Sequence, residues 1–224
     1  MTWKLPIAVV ITTFNSEKFI KEAIDSVINQ SKAPTEFIVV DNGSIDTTRD
    51  IVRSFGIPFF VQTEGKVGTS RNLGLAKTTS QFIKYLDADD WLESSALEQL
   101  YAGHLKTGAP YVYGQSQNFI DPTYNRNRAG FLAQVAEPIT SPITLTSLVE
   151  REIFKVYGQP ESDNYSWNRW LTLSLRQKIS NGVIDQVVGY RRIHNENISH
   201  EHDAKFELFR LIAQKLEVER EKSE

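Results

Sequence analysis

The sequence contains no cysteine. That absence excludes a disulfide framework, a thiolate zinc site, an iron–sulfur cluster and a cysteine nucleophile. It also contains no apolar run of about 18 residues, so no membrane-spanning helix is expected. Neither sign of charge dominates. The 25 Lys+Arg against 28 Asp+Glu leave a formal net charge of -3, with no broad basic footprint for nucleic acid. No signal peptide is expected, because Met1-Thr2-Trp3-Lys4 runs straight into a strand-like segment. The sequons at Asn42, Asn164 and Asn197 then read as chance. No Gly-x-Gly-x-x-Gly occurs, which speaks against a nicotinamide dehydrogenase. Gly65-Lys66-Val67-Gly68 lacks the ending of a Walker loop.

What is present suits a packed protein. The 224 residues are 40% apolar and 11% aromatic, ample for a hydrophobic core without a staple. Chemistry must therefore come from carboxylates, histidines, hydroxyls, amides or a bound cation.

The first half alternates strand and helix signals. Ile7–Ile11, Phe37–Val40, Phe59–Val61 and Phe82–Leu86 are short apolar runs, as expected of strands buried on both faces. Between the first two, Phe19, Ile20, Ala23, Ile24, Val27 and Ile28 recur at one-face helical spacing, with Asn15 or Ser16 available as a cap. Asp46 or Thr47 starts a second helix, Ser70 a third, and 93–105 reads as a fourth. This order predicts a parallel, doubly wound sheet, whose ligands bind outside the carboxyl ends of the strands. The second half is less regular. Tyr111–Tyr113 and Val183–Tyr190 look like strands, and 121–142 like loop. Leu145–Phe154 and 163–175 have helical patterns, and His200–Lys222 reads as a terminal helix.

Three polar clusters fall at the strand ends: Thr12-Thr13-Phe14-Asn15, Asp41-Asn42-Gly43-Ser44 and Asp87-Ala88-Asp89-Asp90. Alternate residues of an extended segment point the same way, so Asp87 and Asp89 can face one divalent cation or one ligand. The competing reading is a helix cap with first-turn acids. Asp41 can accept a hydrogen bond from a base or ribose, or can simply build a strand-to-helix turn. The loop through Gly68 can bring Lys66 and Arg71 to an anionic ligand, or can be a glycine loop with a surface cation. Trp91, Trp167 and Trp170 can pack on a sugar face or in the core.

Taken together, Val9–Asn15, Val39–Thr48, Gly68–Gly74 and Tyr85–Leu92 resemble the family 2 glycosyltransferases of the GT-A fold. Glu161-Ser162-Asp163 with Trp167 resembles that family's second acidic motif. Tyr190-Arg191-Arg192-Ile193-His194, with Asn197 and Ser199, resembles its closing segment. The resemblance implies an α/β protein with a Rossmann-like, mostly parallel central sheet flanked by helices and a smaller acceptor-side region. It would form one unit over 1–224, with a donor-binding half over 1–108 and an acceptor half over 109–224.

It further implies an inverting transferase using a nucleotide-sugar, UDP-sugar favoured, and Mn2+ or Mg2+. Thr12, Phe14, Asn15, Asp41, Gly68, Arg71, Asp87 and Ala88 would bind the donor. Asp89 would hold the cation, and His194 would contact the cation or a phosphate. Asp163 would be the general base, with Glu161 as the alternative. The acceptor would be a glycan or a lipid- or protein-linked glycoconjugate, as in polysaccharide biosynthesis. The expected location is cytoplasmic, with the inner membrane face as the alternative, and the terminal helix is a candidate for homodimer or peripheral membrane contact. Three rivals remain at this point. A pyrophosphorylase would want an arginine-bearing glycine loop after the first strand. An aspartate-nucleophile phosphatase would carry its acidic pair after the first strand, not the fourth. An inactive nucleotide-sugar-binding module would keep the same motifs without turnover.

Overall fold

The computed structural model describes residues 4–63, 66–125, 137–157, 159 and 179–197. The chain runs β1 (Leu5–Thr13), α1 (Ile20–Ile28), β2 (Pro34–Asp41), α2 (Thr48–Ser54), β3 (Phe59–Val61), α3 (Val67–Lys77), β4 (Phe82–Asp87), β5 (Trp91–Leu92) and α4 (Ala96–Thr107). It continues through β6 (Tyr111–Ile120), β7 (Ile139–Thr140), β8 (Ser147–Glu150), α5 (Glu152–Tyr157) and β9 (Asn181–Ile193). One sheet takes the order β3-β2-β1-β4-β8-β6-β9-β5, with β7 beside β6.

The first four sequence-predicted strands are parallel neighbours. In β1, β2 and β4 these apolar runs are explained by burial on both faces, whereas β3 is the half-buried edge of the sheet, with Val61 exposed. Ile7, Val9 and Ile11 face one core with Ile20, Ile24 and Leu97. Val10 faces the other with Val40, Leu75, Tyr85 and Tyr111. At Gly74, α3 lies so close to β1 that an added Cβ would sit 2.4 Å from Val10 Cγ1. Only a glycine tolerates that approach without a shift.

Register matters most for function. Thr12 pairs with Asp87 and Thr13 with Asp41, so the carboxyl ends of β1, β2 and β4 form one crest. Beyond β4 the sheet curls. β8 runs antiparallel between β4 and β6, β9 runs parallel to β6, and β5 closes antiparallel on β9.

Several local expectations are corrected. Leu145–Phe154 is not one helix but β8 followed by α5. Its apolar run fits either period, and pairing with both β4 and β6 decides for strand. No side chain caps α1; Phe19 and Ile20 instead donate to the Ser16 carbonyl, each at 2.9 Å. α3 begins at Val67 rather than Ser70. Asp46 does serve the second helix, its Oδ1 accepting the Thr48 N–H at 3.0 Å. β6 and β9 extend well past their apolar centres, because each is paired along its length with the other. Within the expected loop, Ile139–Thr140 forms β7, and 126–136 lies outside the described residues. The patterns over 163–175 and His200–Lys222 also lie outside them. Among the described residues, no helix is long and apolar enough to cross a membrane.

Lys84 is wholly buried in β4. Its Nζ donates to the carbonyls of Thr144 at 3.0 Å, Tyr85 at 3.3 Å and Leu145, tying the turn before β8 to the central sheet. Burial brings its pKa down to about 7, against the pull of Asp87 and Asp90. The unfolded lysine holds its proton to about 10.4, so above pH ~7 the unfolded state binds more protons. Stability must then rise with pH through that window. The parent should gain about 2 kcal/mol between pH ~7 and ~9 relative to Lys84→Met. Urea denaturation of both proteins at the two pH values checks this; parallel pH dependence would refute it.

Candidate active site

The turns after β1 and β2 lock together first. The Asp41 carboxylate is fully buried and accepts from the N–H groups of Gly43 at 3.2 Å and Ser44 at 3.0 Å, from the Ser44 hydroxyl, and from Arg49 Nε at 2.7 Å. Gly43 has φ +90°, which favours glycine in that turn. The structure therefore places Asp41 beneath the turn as its anchor. Asn15, at φ +46°, joins the two turns: its N–H donates to Ser44 Oγ and its Oδ1 accepts from Ile45 N–H, both at 2.9 Å. Phe14 stands exposed at the mouth.

Asp87 forms the second group. Its Oδ1 accepts from Thr12 Oγ1 at 3.1 Å and from Arg71 Nη2 at 2.6 Å. Arg71 is buried on α3 one turn after Gly68, and its carbonyl accepts the Tyr85 hydroxyl at 3.1 Å. Its Nε and the Thr13 hydroxyl are buried with no hydrogen-bond partner among the described residues. Ala88 extends the ladder by donating its N–H to Thr12 O at 3.1 Å. The chain then turns, with Asp90 N–H donating to Asp87 O at 3.1 Å.

That turn sends Asp89 elsewhere. Its Oδ2 receives His194 Nε2 and Asn197 Nδ2, each at 3.0 Å. Asp87 and Asp89 thus have separate hydrogen-bond partners, and the side chain nearest the Asp89 carboxylate besides Asn197 is His194. Asp90 is buried, and its Oδ1 accepts the Arg192 N–H at 2.9 Å. Burial, reinforced by repulsion from Asp89 and Asp87, pushes its carboxyl pKa well above the usual range.

Arg192 holds these parts in place. Its guanidinium donates to the Asp89 carbonyl at 3.2 Å, to Asp121 at 3.0 Å and to Glu22. It also lies over the rings of Trp91 at 4.9 Å and Phe19 at 5.0 Å. Trp91 stacks on Tyr190 at 5.2 Å, which favours the packing role for this tryptophan. Arg192 and Asn197 received no role from the sequence. Their only signal was membership of the closing segment, because their partners are remote in the chain. Asp163, Glu161, Trp167 and Trp170 lie outside the described residues.

The donor set can be weighed against a divalent cation. Among the described residues, no three His, Cys, Asp or Glu are placed to hold a metal together. Asp89 and His194 offer one carboxylate and one imidazole. Such a partial set fits Mg2+ or Mn2+, which keep positions for water and phosphate oxygens.

Comparison with known proteins bears on the fold and the family. A GalNAc(5)-diNAcBac-PP-undecaprenol beta-1,3-glucosyltransferase of Campylobacter jejuni is 27% identical over 169 residues, 72% of this chain and 54% of that protein. Other curated relatives are much longer: the chain spans 17% of one and 29% of another. The structure of S. aureus TarS 1-349 in complex with UDP-GlcNAc matches at TM-score 0.68 and 19% identity, covering 86% of this chain and 60% of that one. The M. tuberculosis glucosyl-3-phosphoglycerate synthase in complex with Mn2+ and UDP-glucose matches at TM-score 0.61 and 19% identity, covering 87% and 73%. These likenesses show the expected GT-A fold. The model described as Glycosyl transferase family 2 matches residues 8–180, and the chain belongs to that family.

Proposed function

We propose that this chain is an inverting glycosyltransferase. It moves a sugar from a nucleotide-diphosphate sugar, UDP-sugar favoured, to an acceptor hydroxyl on a glycan or glycoconjugate in surface-polysaccharide assembly. The observation that carries the reading is the meeting of Asp89 with His194, 3.0 Å apart, on the crest that also holds Thr12, Arg71 and Asp87. Two solved relatives support the donor class, since their crystals hold UDP-GlcNAc or UDP-glucose, one of them with Mn2+. The acceptor class draws support from the undecaprenol-linked name of one curated relative.

The residues divide the work. Asp89 and His194 would hold Mn2+ or Mg2+, which neutralises charge on the departing diphosphate. Arg71 keeps Asp87 paired, so that this carboxylate stays ordered at the edge of the donor site. Phe14, exposed at the mouth, offers an apolar surface to the nucleoside. Inversion needs a base on the opposite side from the leaving group. Asp163 takes that role, with Glu161 as the alternative.

A thermal-shift panel of nucleoside diphosphates with and without Mn2+ tests the donor. UDP with Mn2+ should give the largest stabilisation, and Asp89→Asn should lose that cation-dependent part while melting normally alone. Full retention of the Mn2+-dependent shift in Asp89→Asn would overturn the assignment. For the base, Asp163→Asn should bind UDP normally and turn over about 100-fold or more slower. Unchanged turnover would transfer the role to Glu161.

A further inference from the structure

The loop after β9 carries a side chain whose bonds all serve the candidate cation site. Asn197 Nδ2 donates to Asp89 Oδ2 at 3.0 Å and to Arg192 O at 3.2 Å. Its Oδ1 accepts the His194 main-chain N–H at 2.6 Å. One amide thus touches the carboxylate of Asp89, the backbone of His194 and the end of β9.

His194 Nε2 lies 3.0 Å from the same Asp89 Oδ2, so one carboxylate oxygen meets both the candidate ligand imidazole and the Asn197 amide. Partners of this kind, behind the ligands, orient them and set affinity.

We propose that Asn197 is a positioning residue of the cation site. It holds the Asp89 carboxylate and the His194 main chain in register. The proposal rests on the reading that Asp89 and His194 bind the cation.

Titration of the full chain with Mn2+ in the presence of UDP, followed by electron paramagnetic resonance of free Mn2+, tests it. Asn197→Ala should raise the Mn2+ dissociation constant about tenfold or more. Its melting temperature without cation should stay near the parent's, and saturating Mn2+ should restore most of the turnover. A merely structural role would depress turnover at every Mn2+ concentration. Asn197→Gln, which moves the same amide one methylene outward, should behave like Asn197→Ala and serves if the alanine variant does not fold. Mn2+ affinity within twofold of the parent, or a turnover loss that excess Mn2+ does not recover, would overturn the proposal. Asp89→Ala separates the two levels. If it too leaves Mn2+ affinity unchanged, the cation reading falls; if it alone loses affinity, only the positioning role falls.

Discussion

The guanidinium of Arg192 is the contact on which the site depends. It joins β9 to the turn after β4 through the Asp89 carbonyl, to Asp121 at the end of β6, and to Glu22 on α1. The Arg192 main-chain N–H donates to the buried Asp90. Arginine suits this junction because its planar fork donates in several directions while its faces accept aromatic rings. Phe19 and Trp91 lie against it. Removing one partner from a buried ion pair costs about 3–5 kcal/mol. Such a junction therefore fixes where β9 ends, and so where His194 and Asn197 stand.

Charge compensation explains which carboxylate is left for a ligand. Four aspartates crowd the crest, and each meets a different answer. Asp41 is neutralised by Arg49 and its own turn. Asp87 is neutralised by Arg71. Asp90 is buried and driven towards its neutral form. Asp89 faces an amide and an imidazole, with 30% of its side chain exposed. It is the one of the four with solvent access and no Lys or Arg pair given to it. On the proposed function, a cation would complete that balance and let an anionic diphosphate settle beside it. The modest net charge of the chain conceals this local arrangement, because every compensating group is within hydrogen-bond reach.

The first half of the sheet was legible because its signals are local. Strands buried on both faces read as apolar runs, and their polar ends follow at once in sequence. Thr12, Asp41 and Asp87 are placed by that rule alone. β8 was not legible, since Leu148 and Val149 fit a helix or a strand until β4 and β6 flank them. Asp41 was legible as one of two alternatives, and its burial with bonds to Gly43, Ser44 and Arg49 favours the turn-building one. Arg192 and Asn197 were hidden because 103 and 108 residues separate them from Asp89. No periodicity spans such a distance. Only the pairing of β9 with β5 and β6 sets it.

The divergence of Asp87 and Asp89 shows how a local rule fails at a functional site. Alternation would keep both carboxylates on one side if the strand continued. It stops at Asp87, and Asp90 N–H turns back to the Asp87 carbonyl. The turn is held from outside, by Arg192 on the Asp89 carbonyl and by the pairing of Trp91 with Tyr190. Two acids with one residue between them therefore meet different partners. Asp87 stays with β1 and α3, bound to Thr12 and Arg71, while Asp89 is delivered to the end of β9. A straight strand would have set both charges side by side, with their repulsion unrelieved until a cation arrived. The bent chain separates them and keeps Asp89 oriented by donors from a remote segment. That preorganisation is available before any ligand binds.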